Sequence, residues 1–371
     1  ESQPSCSCSV MNAVEVCLLS GKFVHASVSE GSTIAHLREE VGKLLGVPSV
    51  RVRLVLEGNP LVDEQKVAEL SASAVVAVLI PPWRVISGSE ANALHIWDLD
   101  SMECLGMLEE SNAVTSVSVD FAAKRAIGAC ADGTLGLWDL EEMEQLSYFG
   151  GIPIPYAVSA DFALQQAIIA GQRGVLHVVD LENMKPLGTL QGSDRAVKAV
   201  KADFPSMRAV SSSDDGDLWL WDIAAMQSVG VLNGHRSSVS SLSVDFKLQR
   251  AVTGSLDRRV GIWDLEKLML VQFLDGHDAC VNAVSASFQA ERIISGDADG
   301  VLRVWHPDGR CLCVLRGHTG PMTAVILDND SQRAASSSRD GTLRVWDLPN
   351  QACVGILDAG SIRSLASDGT M

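Results

Sequence analysis

The sequence predicts a mainly β protein in which seven similar units pack side by side, preceded by a small α+β domain. Trp-Asp, or a relic of it, recurs at seven positions with intervals of 41, 41, 42, 42, 42 and 41 residues. Within each interval, short runs with period-two alternation are separated by turn residues such as Asp132-Gly133. The first 80 or so residues lack this repeat and contain an amphipathic helical segment among strand-like runs.

The repeat has three markers at constant spacing. The Trp-Asp positions are Trp97-Asp98, Trp138-Asp139, Val179-Asp180, Trp221-Asp222, Trp263-Asp264, Trp305-His306 and Trp346-Asp347. Gly-His stands 29 residues before the Trp in the last three units, and Asp-Gly turns lie between them in several units. Each unit has room for four short strands. A sheet this small cannot bury both faces alone, so neighbouring units must stack.

Together these markers resemble the WD40 family over residues 84–371, and seven copies then imply a seven-bladed β-propeller. The resemblance implies a hydrogen-bonded quartet of His, Ser or Thr, Asp and Trp that stabilises each blade. Three units match it at all four positions. The quartets are His235, Thr253, Asp257 and Trp263; His277, Ser295, Asp299 and Trp305; and His318, Ser336, Asp340 and Trp346.

The earlier units depart from this pattern. Ser193 stands where the unit ending at Trp221 should have its His, and the unit ending at Val179 has no Trp. The unit ending at Trp138 keeps only Asp132 and the Trp itself. These departures predict lower local stability over residues 110–180.

The first blade needs a fourth strand, because a ring of sheets must avoid an exposed edge. One candidate is the C-terminal segment 361–368, whose Ser-Ile-Arg-Ser-Leu-Ala-Ser-Asp mimics the segment 238–245. The other candidate is 75–78, just before the first unit. We favour the C-terminal segment, because 75–78 is needed as a strand of the N-terminal domain.

The N-terminal domain is expected over residues 10–82, after a disordered Ser/Cys tail at 1–9, with the propeller over 83–371. A helix is expected over about 34–45, capped by Ser32 or Thr33 and stopped by Gly46 and Pro48. The segments Leu19-Ser20-Gly21-Lys22, Gly46-Val47-Pro48 and 53–58 resemble ubiquitin. The domain ends in Pro81-Pro82-Trp83 without Gly-Gly, so its conjugation to targets is not expected.

The ubiquitin resemblance also implies a recognition patch. By position it falls on Leu19, Val55 and Val78, which are all apolar. The competing interpretation is that Val55 and Val78 are ordinary strand residues.

Charge and composition exclude several function classes. The chain of 371 residues has a formal net charge of −17, which disfavours electrostatic binding of nucleic acid. No apolar run approaches the roughly 20 residues that span a membrane. The nine cysteines are scattered without a Cys-x-x-Cys pair, so neither a disulfide framework nor a metal site is indicated, and no cofactor is expected. These features fit an intracellular protein of the cytoplasm or nucleus.

Nothing in the sequence assembles an active site. The expected channel positions, on the innermost strands, are mostly small: Ser116, Ser118, Ser159, Ala199, Lys201, Ser241, Ser243, Ala283, Ser285, Ala324, Ser364 and Ala366. They include no paired carboxylates or His cluster. We therefore expect no enzymatic activity.

The favoured hypothesis is an interaction scaffold whose partners are proteins or peptides. The family resemblance implies contact positions on the loop face of the ring at Tyr156, Gln172, Lys198, Asp214, Asn282, Arg339 and Arg363. Its basic members could take an acidic peptide. The ubiquitin-like domain would recruit a second factor, of which a ubiquitin-pathway component is one specific version. The alternatives are a structural subunit of a complex, or a hydrolase or isomerase that uses the channel.

Overall fold

The structure is a computed structural model that describes residues 11–20, 22–29, 31–56, 59–61, 63–70, 75–328 and 332–367. The chain divides into two compact units, Glu1–Trp83 and Arg84–Met371. The tail expected at 1–9 lies outside the described residues. The mainly β fold class is confirmed, since strands dominate both units.

The first unit is a five-stranded sheet with one helix packed on it. Its strands are β1 (Met11–Leu18), β2 (Phe23–Ser29), β3 (Val52–Leu56), β4 (Asn59–Pro60) and β5 (Val75–Leu79), the helix is α1 (Ile34–Leu45), and single 3₁₀ turns cover Ser49–Arg51 and Val67–Glu69. The sheet order is β2-β1-β5-β3-β4, with β1 and β5 parallel. This is the β-grasp arrangement.

Helix α1 covers the sheet with one apolar stripe. Ile34, Leu37 and Val41 are spaced for one helix face and are buried against the sheet. The helix ends at Gly46, whose backbone is left-handed with φ of 67°. A residue without a side chain adopts this conformation at little cost, so the glycine terminates the helix cleanly.

The second unit consists of short antiparallel strands throughout. They are β6 (Arg84–Ser89), β7 (Ala93–Asp98), β8 (Glu103–Glu109), β9 (Val114–Asp120), β10 (Arg125–Cys130), β11 (Leu135–Asp139), β12 (Glu144–Phe149), β13 (Ala157–Asp161), β14 (Gln166–Ala170), β15 (Val175–Asp180), β16 (Lys185–Gln191), β17 (Val197–Asp203), β18 (Arg208–Ser213), β19 (Leu218–Asp222), β20 (Gln227–Leu232), β21 (Val239–Asp245), β22 (Arg250–Ser255), β23 (Val260–Asp264), β24 (Met269–Leu274), β25 (Val281–Ser287), β26 (Arg292–Asp297), β27 (Leu302–Trp305), β28 (Cys311–Leu315), β29 (Met322–Asp328), β30 (Arg333–Ser338), β31 (Thr342–Asp347), β32 (Ala352–Asp358) and β33 (Ile362–Ser367). A 3₁₀ turn covers Gln172–Gly174.

Within the described residues, these strands form seven four-stranded sheets. Blade 1 is β33-β6-β7-β8, and blades 2 to 7 are the successive groups of four from β9–β12 to β29–β32. The innermost strands, β9, β13, β17, β21, β25, β29 and β33, contact one another in that order, and β33 contacts β9 again. The sheets therefore pack in a closed ring, and their apolar faces are buried between neighbours.

Serine side chains connect the inner strands of successive blades. Ser116 Oγ accepts a hydrogen bond from the backbone N–H of Val158 at 3.1 Å, and Ser241 Oγ accepts one from that of Val284 at 3.0 Å. Ser285 Oγ does the same for Leu327 at 3.2 Å. The hydroxyls thus satisfy backbone donors on the unpaired edge of the next sheet.

The fourth strand of blade 1 comes from the C-terminal end of the chain. Strand β33 pairs antiparallel with β6, with Ile362 opposite Ser89 and Leu365 opposite Ser87. The rival segment forms β5 in the first unit. A buried ion pair between Arg333 of blade 7 and Asp100 of blade 1, at 2.7 Å, spans the same junction.

Among the described residues, no helix is long and apolar enough to cross a membrane.

We predict that deleting residues 361–371 destabilises the second unit severely. The deletion removes β33, which exposes the edge of β6 and opens the ring between blades 7 and 1. Thermal unfolding followed by circular dichroism should show a large fall in Tm or loss of the cooperative transition.

The matched control is a shorter truncation that removes only residues 368–371 and keeps β33. It should unfold at the wild-type temperature. An unchanged Tm in the longer truncation would mean that β33 does not hold the ring closed.

Candidate functional site

Blade 5 contains a continuous hydrogen-bonded chain beneath its loop. Trp263 Nε1–H donates to Thr253 Oγ1 at 2.8 Å, and the Thr253 hydroxyl lies 2.8 Å from His235 Nε2. His235 Nδ1 lies 2.8 Å from Asp257 Oδ2. A neutral imidazole with its proton on Nδ1 satisfies all these groups at once. The His235 side chain is fully buried, so the quartet fastens the loop to the blade.

Blade 7 repeats this chain through His318, Ser336, Asp340 and Trp346, with distances of 2.8–2.9 Å. Blade 6 differs in one member. His277 Nδ1 lies 2.7 Å from Asp297 Oδ2, so the expected carboxylate, Asp299, is wrong.

The reason for the exchange in blade 6 is the residue at position 297. In blades 5 and 7 the equivalent residues are Ser255 and Ser338, which accept the N–H at the start of the turn. Asp297 Oδ1 accepts that turn N–H from Asp299, while its Oδ2 reaches the histidine. One carboxylate therefore performs both tasks.

Burial controls the charge state of these networks. Desolvation lowers the pKa of His235 and His318, although the hydrogen bonds that these histidines donate to Asp257 and Asp340 act in the opposite direction. Burial alone would raise the pKa of Asp257, but backbone N–H donors and the histidine outweigh it and lower that pKa. At neutral pH His235 and His318 are therefore uncharged, while Asp257 and Asp340 are ionised.

The earlier blades use shortened versions of the network. In blades 1 and 4 the indole N–H of Trp97 and Trp221 donates to Ser87 and Ser211, each at 2.9 Å. In blade 4 Ser193 hydrogen-bonds Ser213 at 3.0 Å. No such quartet can form in blade 3, which has Val179 in place of the Trp.

Blade 2 replaces the network with a glutamate. Glu110 stands 28 residues before Trp138, which is the histidine position of the other blades. Its Oε1 accepts the Trp138 indole N–H at 2.6 Å, and its Oε2 lies 3.6 Å from Cys130 Sγ. Burial raises the pKa of Glu110, and the hydrogen bonds from Trp138 and Cys130 only partly offset this effect.

Two glycines make room for the Glu110 carboxylate. A Cβ atom at Gly128, the Ser/Thr position of other blades, would lie 2.6 Å from Glu110 Oε1. A Cβ atom at Gly136 would lie 2.5 Å from the same oxygen. A side chain at either glycine would displace the Glu110 carboxylate from its place in the structure.

Three of the predicted loop-face residues lie together. Lys198 Nζ lies 4.0 Å from the centre of the Tyr156 ring and 3.7 Å from Asp214 Oδ2. Asp214 also accepts a hydrogen bond from Ser238 at 2.6 Å. All three side chains are partly exposed, and they come from loops or strand ends of blades 3 and 4. They form an accessible cation–π cluster.

Two others lie near one acidic residue. Arg363 Nε lies 2.9 Å from Glu90 Oε1, and the charges of Arg363 and Arg339 contribute to lowering the pKa of Glu90, after a hydrogen bond from Ser361. Gln172 is partly exposed beside a left-handed Arg173. Asn282 uses one amide N–H to bond the Met322 carbonyl of the next blade at 3.2 Å.

Six of the seven channel serines have structural partners, and the buried hydroxyl of Ser364 has no hydrogen-bond partner among the described residues. The hydroxyls of Ser116, Ser118, Ser159, Ser241, Ser243 and Ser285 all accept backbone N–H groups of the following blade. Lys201 lies on β17 with an exposed side chain. In the described part of the chain, no group of three or more His, Cys, Asp or Glu side chains is placed to hold a metal ion.

The residues of the predicted patch on the first unit differ in their exposure to solvent. Leu19 is 75% exposed, whereas Val55 and Val78 are only partly exposed. Leu54 pairs with Ala77, and both point into the core. The alternating residues Val55 and Val78 therefore share the outer face of the sheet.

Sequence reasoning missed Asp297 and Glu110. Both could have been found by aligning the seven units on their Trp positions, since Glu110 falls on the histidine position and Asp297 lies two residues after the Ser position. An acidic residue at either place signals a changed network.

Comparison with known families agrees with this architecture. The model described as WD domain, G-beta repeat, matches residues 184–222, 226–264, 268–306 and 309–347. The ubiquitin family model matches residues 14–80. A search of curated proteins gave no match. Each matched repeat contains the last strand of one blade and the first three strands of the next, so the four matches run from β16 to β31, whereas the earlier blades are recognised from their sheets.

We predict that Thr253→Val destabilises the protein by roughly 1–3 kcal/mol, because Trp263 Nε1–H and His235 Nε2 lose their buried partner. Chemical denaturation should show a lower midpoint. The control, Thr189→Val on the exposed face of β16, should change stability by less than about 0.5 kcal/mol. Equal effects of the two variants would contradict a stabilising role for the quartet.

We predict that stability falls as the pH is lowered through about 6.5. The folded pKa of His235 and His318 is depressed, so the unfolded chain takes up protons that the folded chain does not. The contribution of these two histidines to the free energy of unfolding is therefore complete above their pKa in the unfolded chain. It is lost as the pH falls towards their pKa in the folded chain. Tm should drop between pH 7.5 and pH 5.5.

The variant His235→Gln should have a lower Tm at pH 7.5 but a smaller drop on acidification. His25→Gln, on the exposed face of β2, serves as the control and should keep the wild-type drop. If His235→Gln keeps it as well, the buried imidazole is not responsible.

Proposed function

Because the chain combines WD40 repeats with an N-terminal ubiquitin-like domain, we propose that it is a non-catalytic protein-interaction scaffold of the cytoplasm or nucleus. The ring binds a protein or peptide client on its loop face, and the ubiquitin-like domain recruits a second factor from the ubiquitin pathway. The client-binding residues are Tyr156, Gln172, Lys198, Asp214, Asn282, Arg339 and Arg363. The recruiting patch consists of Leu19, Val55 and Val78.

The observation that carries this proposal is the Tyr156–Lys198–Asp214 cluster. The Lys198 ammonium lies 4.0 Å from the centre of the Tyr156 ring and 3.7 Å from Asp214 Oδ2, and all three side chains remain partly exposed. Their geometry is fixed by mutual contacts, so a partner binds without ordering them first. Side chains of this kind are the usual anchors of protein interfaces.

The arrangement of charges refines the nature of the client. Lys198 and Arg363 already face Asp214 and Glu90, so their positive charge is largely compensated. With a net charge of −17, the protein favours neutral or basic partners over acidic peptides and nucleic acid.

The residues that could be mistaken for catalytic groups have other tasks. His235 and His318 are buried against aspartates, and Ser116 and Ser241 of the channel accept backbone N–H groups. These contacts favour a binding role over catalysis. No cofactor or metal enters the proposal.

The second docking point is supported by Leu19. A leucine that is 75% exposed contributes nothing to the core of its own domain. Val55 and Val78 on the outer sheet face would extend the apolar contact.

Proximity labelling with the full chain in cells tests the scaffold. We predict that Leu19→Ala and Lys198→Ala each remove a set of labelled proteins, and that the two sets differ. Each substitution removes a contact from only one docking surface.

Leu44→Ala is the control for the first surface, because Leu44 is 54% exposed but lies on α1, away from the patch. Thr189→Ala serves for the second surface. If Leu19→Ala and Lys198→Ala label the same proteins as the wild type, the scaffold proposal is wrong.

A further inference from the structure

Blade 2 and blade 5 are equivalent position by position around their tryptophans. Six residues before Trp138 and Trp263 stand Asp132 and Asp257, and two residues before them stand Gly136 and Gly261. Tyr148 and Phe273 lie ten residues after the two tryptophans, and they pair with Gly136 and Gly261 across the sheet. Blade 5 therefore provides a comparison for this region of blade 2.

In blade 5 the region is filled by residues of the chain itself. His235 packs against Phe273 with ring centres 5.0 Å apart. The guanidinium of Arg259 lies 5.2 Å from the centre of the Phe273 ring and pairs with Asp275 at 3.0 Å. Blade 7 has an arginine at a different position, Arg344, two residues before Trp346, and its charge contributes to lowering the pKa of His318.

Blade 2 lacks both fillers. Thr134 stands where blade 5 has Arg259, and Glu110 replaces the larger histidine. The result is a cavity of about 330 Å³, which we call the Glu110 pocket, lined by Glu110, Ser111, Thr134, Gly136 and Tyr148 among others. Tyr148 is 71% exposed at its rim.

The Glu110 pocket is acidic and has no internal counter-charge. Among the described residues, neither Glu110 nor Asp132 forms an ion pair. Asp132 accepts hydrogen bonds from the neutral hydroxyls of Thr134 at 2.6 Å and Ser111 at 3.1 Å. Burial raises the pKa of Glu110, and the nearby charge of Asp132 adds to this effect, so an incoming cation would relieve both.

We propose that the Glu110 pocket binds an arginine side chain of a partner protein, which takes the place that Arg259 fills within blade 5. The guanidinium would pair with the free lone pairs of the Glu110 carboxylate. Its flat face would stack on Tyr148, as that of Arg259 does on Phe273. The choice of a protein as the source rests on the proposed function.

The indole N–H of Trp138 offers a direct readout, because it donates to Glu110 Oε1. We would titrate the full chain, labelled with ¹⁵N, with acetyl-Ala-Arg-Ala-amide and follow the Trp138 signal, assigned with Trp138→Phe. The peptide should shift this signal saturably. The Trp263 signal is the internal control and should not move, since Arg259 and His235 already fill its blade.

Two further probes define the chemistry. The same peptide with citrulline, which is neutral and nearly isosteric, should cause no saturable shift. Free arginine amide should bind more weakly than the peptide. Equal binding by citrulline would overturn the requirement for a cation, and arginine amide binding as tightly as the peptide would overturn the assignment to a protein.

Two variants test the pocket itself. Glu110→Gln keeps the shape and an acceptor for Trp138 but removes the charge, and should weaken binding by about tenfold or more. Thr134→Arg restores the arginine of blade 5 within the chain and should block the peptide while raising Tm. Undiminished binding in the correctly folded variants would overturn the proposal, and Thr134→Arg remains informative if Glu110→Gln does not fold.

The two proposals fail separately. Absence of peptide binding overturns the arginine site and leaves the labelling result with Leu19→Ala and Lys198→Ala untouched. Peptide binding together with unchanged labelling in those two variants overturns the scaffold proposal alone.

Discussion

The ring depends on the unpaired inner edge of each four-stranded sheet. Such an edge carries backbone donors that would be left without partners or would pair with another chain. Serine hydroxyls of the preceding blade accept several of these donors, as Ser116 does for Val158 and Ser285 for Leu327. Closure by β33 completes blade 1 and brings it against blades 7 and 2. The abundance of serine on the inner strands is thus a packing requirement rather than a sign of nucleophilic chemistry.

The quartets fasten the loops to this ring. The blades differ in whether the network fills the space beneath the loop or leaves a pocket there. In blades 5 to 7 a buried histidine joins the loop carboxylate to the strand hydroxyl and the indole. Blade 2 keeps only the indole contact and makes it to Glu110. The exchange of histidine for glutamate, and of serine for Gly128, turns a filled network into an acidic cavity. Seven blades share the stability of the ring. One blade can therefore diverge and form a site with little loss of stability.

The two candidate binding surfaces of the ring select partners by different properties. The partly exposed cluster of Tyr156, Lys198 and Asp214 is held by contacts among its own members and Ser238. Because its cation is already paired, specificity there depends on shape and aromatic contact, whereas the Glu110 pocket selects for charge. A client that uses both would carry an apolar or aromatic anchor and an arginine.

The repeat, the strand content and the two-part organisation could be predicted from residue patterns along the chain, and most members of the quartets were implied by the family resemblance. It left two candidates for the last strand of blade 1, and it assigned Asp299 where the structure uses Asp297. Each question concerns a contact between residues far apart in the sequence: which strand pairs with β6, and which aspartate contacts His277. Residue spacing does not give the distance between such groups in space. The pocket beside Glu110 could not be predicted from residue spacing, because it depends on strand pairing that brings Gly128, Gly136 and the small side chain of Thr134 around one carboxylate.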